Sequence, residues 1–279
     1  MHEMILQGLR DAVRDSNSPG AVACVGNGAE ILFLEAAGDA QLDPVRVAAR
    51  TDGIYDLASL TKVVATTTAV LLLREQGAIE LDRSAADYVP IEAFRKMTLR
   101  HLLTHTAGFL AGRPFYRTHT SVEGMLMESA ERGIDNAPGV RWVYSDIGFM
   151  LLGRVVERVT GQTLDRFCQS RIFTPLNMAD TFFNPPARLR SRCAPTERCA
   201  WRERIVQGEV HDENCCAVGG VSGHAGLFST AEDLARFCRA FLGGALVSEA
   251  VLDEVSALGQ VPSYPVSYTH LTLPTIYSV

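Results

Sequence analysis

The chain has 279 residues, of which 47% are hydrophobic, and its mean hydropathy is close to zero at +0.08. This length and balance are typical of one large globular domain or of two lobes that share a core. The net charge of −6 and a pI near 5.7 argue against a nucleic-acid-binding protein, because such proteins carry clustered basic residues. No apolar run is long enough to span a membrane, and the N-terminal residues lack signal-peptide features, so a cytoplasmic location is expected.

The cysteine and histidine patterns indicate no metal site and no cofactor. Seven cysteines occur without a C-x-x-C motif, which favours neither a disulfide framework nor a zinc site. His101 and His105 have helical i, i+4 spacing, but the glutamate of the H-E-x-x-H motif is absent, so we interpret both as structural. Residues 211–214 form a possible cleft-lining loop, and adjacent residues on a loop rarely converge on one ion.

The N-terminal region predicts a helix and a β-hairpin. Residues 4–14 have apolar side chains at helical spacing, and residues 21–26 and 30–37 are strands around Asn27-Gly28, a strong hairpin signal. Residues 38–52 are predicted to be a loop with a crossing segment. Two strands do not make a stable sheet, so we expect the sheet to be completed by strands from the C-terminal end.

The segment from Ser59 to Gly77 organises the chain. It is mostly apolar or small before Gly77, which predicts a buried helix that begins at Ser59. Free N–H groups at a helix start favour negative charge near Ser59, and Lys62 lies one turn along the same face. Because a buried lysine can give up its proton, the pair suggests an activated serine nucleophile. The alternative interpretation is a helix cap followed by a solvated lysine.

Strands come first in the chain and helices follow, which predicts an α+β fold. Tyr144 precedes a strongly apolar helix; by itself it is an ordinary tyrosine packed at a helix start. Ser229 and Glu232 form a capping box that opens the last helix of this series. The helices are predicted at residues 98–104, 121–132, 145–160, 163–171 and from the capping box to about 241.

Residues 266–275 resemble the translation of a sequencing-library adapter. We therefore interpret residues 266–279 as a non-native tail and exclude them from fold reasoning. On this interpretation the natural sequence stops near Pro265 and the sheet lacks its C-terminal strands. We expect residues 1–265 to form a single domain, in which residues 1–58 begin the sheet lobe and residues 59–255 are mainly helical.

Five motifs occur in order along the chain and are specific as a set. They are Ser59-Leu60-Thr61-Lys62, the run from Leu99 to Gly108, Tyr144-Ser145-Asp146 with Gly148, Pro175-Leu176-Asn177-Met178, and the run from Leu227 to Leu234. The set resembles the serine β-lactamase and penicillin-binding protein superfamily over roughly residues 4–255. It looks most like the class C-like branch, which also contains esterases and D-amino-acid peptidases.

This resemblance implies a serine hydrolase that forms an acyl-enzyme. It also implies a helical lobe and an α/β lobe with an antiparallel sheet, which is incomplete in this chain. Ser59 would be the nucleophile, Lys62 would help to take its proton, and Tyr144 would act as base on Ser59 and as acid on the leaving group. The Ser59 N–H would form half of the oxyanion hole. Asp146 would contact the substrate, but it stands where many members carry asparagine. A carboxylate there can accept from Lys62 but cannot donate to a substrate carbonyl.

The family also carries a late Lys-Thr-Gly or His-x-Gly triplet on a strand. We do not assign Gly223-His224-Ala225-Gly226 to it, because we expect this segment to run into a capped helix. We interpret it as a glycine-rich turn and His224 as non-catalytic. The substrate therefore stays open among esters, D-amino-acid peptides and β-lactams, and a catalytically silent ligand-binding relative is the alternative function. The expected partner is a small ester, amide or peptide, and the oligomeric state is open.

Overall fold

The computed structural model describes residues 2–16, 18–110 and 112–258 of the chain. Within these ranges helices and short antiparallel sheets are combined, as expected for an α+β fold. The strands are β1 (Gly20–Gly26), β2 (Ile31–Gln41), β3 (Val47–Ala48), β4 (Tyr55–Asp56), β5 (Phe182–Phe183), β6 (Arg198–Cys199), β7 (Arg204–Ile205) and β8 (Leu227–Ser229). The α-helices are α1 (His2–Asp15), α2 (Thr68–Glu75), α3 (Ala85–Tyr88), α4 (Leu99–Leu103), α5 (Val122–Arg132), α6 (Asp146–Thr160), α7 (Leu164–Cys168), α8 (Glu213–Ala217), α9 (Ala231–Leu242) and α10 (Glu249–Leu258).

The N-terminal hairpin is confirmed. Strands β1 and β2 pair antiparallel from Gly20 opposite Gly38 onward. The Asn27 side chain accepts a hydrogen bond from the Ala29 N–H at 2.8 Å, which shapes the predicted turn. Helix α1 packs on β2, and α9 packs on β1. Arg239 of α9 donates to the Ala29 carbonyl at 2.6 Å, so the hairpin is fastened to a helix near the other end of the described chain.

The third strand of this sheet differs from the prediction. It is β3, which pairs with the end of β2 and lies within the segment that was predicted to be a loop. Strand β2 is therefore longer than the sequence pattern indicated, because its last residues continue the ladder past Gly38. The strands expected from the C-terminal end, and the tail at residues 266–279, lie outside the described residues.

The helical lobe is built around α6, whose apolar residues face neighbours on several sides. Helices α2, α4, α5 and α7 all pack against it. Phe149, Leu152 and Val155 of α6 are completely buried. Burial of a large apolar side chain stabilises the fold by about 1.5 to 3 kcal/mol, so this helix anchors the lobe. Ser145 caps α6 and Gly161 ends it in the left-handed conformation, which confirms the predicted boundaries.

A second small sheet has the strand order β4-β8-β5. Its central strand, β8, was not predicted. Tyr55 pairs with Ser229, and the Leu57 N–H donates to the Leu227 carbonyl at 2.8 Å. The glycine-rich turn therefore runs into a strand before it reaches α9, which corrects the expectation that a capped helix follows directly. A three-residue strand is too short to show an alternating pattern in the sequence.

The predicted N-cap of α9 was also wrong by one residue. Thr230 is the N-cap, and its hydroxyl accepts from the Asp233 N–H at 3.2 Å. Ser229 belongs to β8, and its hydroxyl lies 2.7 Å from that of Thr181. The Ser229–Glu232 spacing satisfied the capping-box pattern, but Ser229 pairs in the sheet and its hydroxyl contacts Thr181, so it does not cap the helix. None of the helices among the described residues combines the length and apolar character needed to cross a membrane.

Candidate active site

Ser59 lies in a tight turn between β4 and the first helical segment of the helical lobe. Ala58, immediately before it, has a φ of 45°, a left-handed conformation that is uncommon for alanine. The Asp56 side chain holds the turn by accepting from the Ala58 N–H at 2.8 Å. Helical backbone begins at Leu60, so Ser59 precedes the helix that it was expected to open. The strained turn leaves the Ser59 side chain exposed at the surface of a buried helix.

The helix after Ser59 begins with an unusual wide turn. Residues Lys62–Thr67 are π-helical, and every one of them is buried. The Thr68 hydroxyl donates to the Val63 carbonyl at 3.0 Å inside this segment. Short π-helical turns often occur at functional sites. The sequence did not predict this one, because its apolar and threonine-rich pattern also fits an ordinary α-helix.

Lys62 is the centre of the site. Its Nζ lies 3.0 Å from the Ser59 Oγ, 3.0 Å from the His224 carbonyl oxygen and 2.8 Å from the Asp146 Oδ1. An ammonium group has three N–H donors, and three oxygen atoms face it here. Only 2% of Lys62 is exposed, so the alternative of a solvated lysine is wrong. The arrangement brings a cation into direct contact with the serine hydroxyl.

Tyr144 and Asp146 complete the side of the site that the helical lobe contributes. The Lys62 Nζ lies 4.8 Å from the centre of the Tyr144 ring, a cation–π distance. The Tyr144 hydroxyl forms no hydrogen bond with the described residues, and 40% of the residue is exposed. Asp146 is the first residue of α6, and its side chain is 24% exposed. Its second carboxylate oxygen, Oδ2, lies close to the backbone of Gly112, where an added Cβ atom would approach it to 2.9 Å.

The glycine-rich turn lies on the other side of Lys62, and His224 is its buried centre. The His224 ring bonds Ser222 Oγ through Nδ1 at 2.8 Å and Asp212 Oδ1 through Nε2 at 2.9 Å. Burial alone would raise the pKa of Asp212, but the hydrogen bond from His224 and the nearby Lys62 cation outweigh it and lower the pKa to about 2. Asp212 also caps α8, so one carboxylate fixes both the helix and the histidine.

Two threonines of the helix that follows Ser59, and Asp56 of β4 just before it, form hydrogen bonds with residues 211–227. The Thr66 hydroxyl donates to the Gly223 carbonyl at 2.7 Å, and the Thr61 hydroxyl accepts from the Leu227 N–H at 3.1 Å. The Asp56 carboxylate accepts from the His211 N–H at 2.6 Å, and burial raises the pKa of Asp56. Residues 211–226, which we call the loop wall, are therefore held against β4 and against the first turns of the helix that follows Ser59.

Helix α6 supports the loop wall from behind through a contact between two glycines. A Cβ atom on Gly153 would lie 3.2 Å from the Gly223 Cα. A Cβ atom on Gly223 would overlap the carbonyl oxygen of Phe149. Backbone therefore touches backbone at this point, and His224 is held at the right distance for its carbonyl to meet Lys62.

The structure brings all four site residues predicted from sequence together: Ser59, Lys62, Tyr144 and Asp146. Their catalytic and binding roles stay predictions. Sequence reasoning missed the contribution of Asp212 and the contact of the His224 carbonyl with Lys62, and it left His105 as a structural residue without a place near the site. His105 packs on Tyr144 with ring centres 4.6 Å apart. No local pattern announces such contacts, because they join segments far apart in the chain.

A separate group of residues has the spacing of metal ligands. Glu197, Cys199 and Glu213 each place one ligand atom within 4.8 Å of the others. His211 lies next to them, with its Nε2 3.2 Å from the Glu197 Oε1. Glu197 and Glu213 also line a cavity of about 480 Å³. This group is distinct from the Ser59–Lys62 contacts, and exposed carboxylates of this kind are common in proteins without a metal.

Comparison of the sequence with known proteins gives a family match and curated relatives. The Beta-lactamase family model matches residues 7–276. An Escherichia coli K12 protein named "Putative D-alanyl-D-alanine carboxypeptidase" is 34% identical over 228 residues. The match covers 71% of this chain and 52% of that protein, so the chain spans about half the length of this relative.

Solved structures share the fold. A D-stereospecific amidohydrolase from a Streptomyces species superposes with a TM-score of 0.72 at 25% identity, covering 95% of this chain and 80% of that one. A class C beta lactamase from Rhodobacter sphaeroides superposes with a TM-score of 0.72 at 24% identity, covering 91% and 69%. The second likeness concerns the fold alone. Together they confirm the α+β architecture that the motif order implied.

Proposed function

Because this chain belongs to the Beta-lactamase family, we propose that it hydrolyses amides or short peptides of D-amino acids through an acyl-enzyme on Ser59. The observation that carries the proposal is the contact of one buried ammonium group with both Ser59 and Asp146. The names of the E. coli and Streptomyces relatives, a carboxypeptidase and an amidohydrolase, support amide or peptide bonds as the target.

In the first step the Ser59 Oγ attacks the carbonyl carbon and loses its proton. With three acceptors around it, Lys62 acts as a donor to Ser59 and stabilises the negative charge that develops on Oγ. Tyr144 is the group proposed to carry the serine proton to the leaving amine. The C–N bond then breaks, the amine departs with that proton, and the acyl group remains on Ser59 as an ester.

The negative charge on the carbonyl oxygen needs a donor of its own. The Ser59 backbone N–H donates no hydrogen bond to the described residues, and it lies beside the start of a helix. These are the properties of an oxyanion-hole donor, so we assign it that role. In the second step a water molecule attacks the ester carbonyl and Tyr144 takes its proton. Tyr144 passes this proton to the Ser59 Oγ as the ester C–O bond breaks, so the acid is released and the Ser59 hydroxyl is restored.

We propose that Asp146 contributes to substrate selectivity. One of its carboxylate oxygens is paired with Lys62, and the other can only accept a hydrogen bond. A substrate carbonyl placed against this oxygen would be repelled, whereas an amino group would be attracted. We therefore propose that the acyl part of the substrate carries a free α-amino group, as a D-amino acid amide does.

The decisive experiment is to trap and locate the acyl-enzyme. The chain is incubated with a D-alanyl thioester, and the digest is analysed by mass spectrometry. We expect a D-alanyl adduct on the peptide that contains Ser59, and turnover of D-alanine p-nitroanilide that falls by about four to six decades in Ser59→Ala. Ser121→Ala, an exposed cap of α5, is the control and should retain both signals.

The catalytically silent relative is the second candidate, and the same experiment separates it. A chain that binds D-alanyl compounds but forms no adduct on Ser59 would support the silent relative. Adduct formation on another serine, with Ser59→Ala unchanged, would show that the nucleophile is wrongly assigned.

A further inference from the structure

We propose that His105 is a positioning residue that holds Tyr144 in the active site by accepting hydrogen bonds from the backbone on both sides of it. This inference rests on the acyl-enzyme function proposed above. His105 follows α4, and its side chain reaches the segment that leads into α6. It touches neither Ser59 nor Lys62 by hydrogen bond, so it acts through Tyr144.

His105 makes two hydrogen bonds and one ring contact with the Tyr144 segment. The His105 carbonyl accepts from the Val143 N–H at 2.8 Å, and the His105 Nδ1 accepts from the Ser145 N–H at 3.2 Å. Tyr144 is the residue between these two amides. Its ring lies against the His105 ring with centres 4.6 Å apart. The backbone before Tyr144, the backbone after it and the ring itself therefore all meet one histidine.

The conformation of His105 is unusual and is retained by these contacts. Its φ is 56°, in the left-handed region that residues other than glycine adopt rarely. The side chain is 4% exposed, so its place is fixed by packing, including the Phe149 ring at 5.1 Å. A backbone strain of this kind persists only where the surroundings determine it, and it is concentrated at functional sites.

The ring is held in one protonation state. Burial, together with the Lys62 cation, lowers the pKa of His105 to about 3. A neutral ring that accepts at Nδ1 carries its proton on Nε2, and Nε2 has no hydrogen-bond partner among the described residues. At pH values well above 3, His105 is thus a neutral acceptor for the Ser145 N–H, and it adds no charge beside Tyr144.

The test compares His105→Ala with His105→Asn. Asparagine places an oxygen near the position of Nδ1 and tolerates a positive φ, so it restores the acceptor without the ring. Rates of D-alanine p-nitroanilide hydrolysis are divided by the amount of Ser59 that a burst titration finds reactive, which removes any effect of unfolded protein. We expect kcat to fall by about tenfold to hundredfold in His105→Ala with KM nearly unchanged, and His105→Asn to recover most of the loss.

His101→Ala is the matched control, because the His101 Nδ1 also accepts from a backbone N–H at 3.2 Å, that of Thr98. It should leave the normalised kcat unchanged. Amide exchange at Ser145, measured in parallel, should accelerate in His105→Ala and slow again in His105→Asn. An equal loss in His101→Ala, no rescue by asparagine, or unchanged exchange at Ser145 would each overturn the inference. A parent chain that never acylates Ser59 would overturn the proposed function instead. Amide exchange at Ser145 would still show whether His105 holds the Tyr144 segment.

Discussion

Two walls of the candidate site are built in different ways. The helical wall consists of Ser59 to Lys62 and Tyr144 to Asp146, and its members lie a few residues apart at the starts of two helices. The loop wall, residues 211–226, reaches the site through contacts between distant positions, such as Lys62 with His224, which are 162 residues apart. Short spacing makes the first wall visible in the sequence, whereas tertiary hydrogen bonds alone create the second.

The two walls meet at one nitrogen atom. Lys62 is covalently part of the helical wall, and one of its three acceptors belongs to the loop wall. We therefore expect chemistry to depend mostly on the helical wall and the alignment and stability of the site to depend mostly on the loop wall. Substitutions on each wall test this division.

The largest effect is expected from Lys62→Arg. The change keeps the positive charge, but the N–H donors of a guanidinium lie in one plane and the group is larger than an ammonium, so it cannot reproduce the contacts of Lys62. We predict that kcat falls by about two to four decades, measured by steady-state hydrolysis of D-alanine p-nitroanilide. Lys96→Arg, at an exposed position, is the control and should be neutral. An arginine variant with the parent rate would mean that charge alone matters at this position.

Asp146→Asn should change selectivity on the helical wall. The amide keeps an oxygen for Lys62 but gains a donor and loses the charge. We predict that the preference for D-alanine p-nitroanilide over its N-acetyl form falls by about tenfold to hundredfold, as measured by the ratio of kcat/KM values. Asp135→Asn, at an exposed position, should leave this ratio as it is. The same ratio in parent and Asp146→Asn would remove Asp146 from substrate choice.

Asp212→Asn tests the loop wall through pH. The pKa of Asp212 is about 2 in the folded protein, below its ordinary value of 3.8, so the carboxylate stabilises the fold above the ordinary value. Asparagine preserves the cap of α8 but removes the charge facing His224. We predict a loss of about 1 to 2 kcal/mol in the free energy of unfolding by urea at pH 7. The difference should persist to about pH 4 and shrink as the pH falls toward 2; a difference independent of pH would contradict it.

The smallest effect is expected where the two walls share a threonine contact. Thr66→Val removes the hydrogen bond to the Gly223 carbonyl and should lower the free energy of unfolding by about 1 kcal/mol. Thr67→Val is a closely matched control, because the Thr67 hydroxyl is buried without a partner among the described residues. That variant should be neutral or slightly more stable. Equal losses in thermal or urea unfolding would show that the contact with Gly223 contributes nothing.

What the sequence could predict follows the same division. The hairpin at Asn27 and the helix from Ser145 to Gly161 were predictable, because turn residues, caps and apolar spacing act over a few positions. Strand β8 was not predictable, since its three residues are defined by pairing with β4 and β5. The capping box was shifted by one residue because Ser229 is used by the sheet.

The site shows the same limit. Ser59, Lys62, Tyr144 and Asp146 were found because they occur in motifs, but the geometry that orients them was not. Three features depend on neighbours from other parts of the chain: the π-helical turn, the left-handed Ala58 and the contacts of His105 with the Tyr144 segment. The spacing of apolar residues predicts which face of a helix is buried, but it does not predict which carbonyl a buried lysine contacts.

The backbone contact between Gly153 and Gly223 has a consequence for how this site can change by mutation. An alanine at position 223 would overlap the Phe149 carbonyl and force α6 and the loop wall apart, whereas an alanine at position 153 would require a shift of a few tenths of an ångström. A displacement of the loop wall would carry the His224 carbonyl away from Lys62. Substitution of Gly223 is therefore expected to disturb the contact at Lys62, even though glycine contributes no side chain to the site.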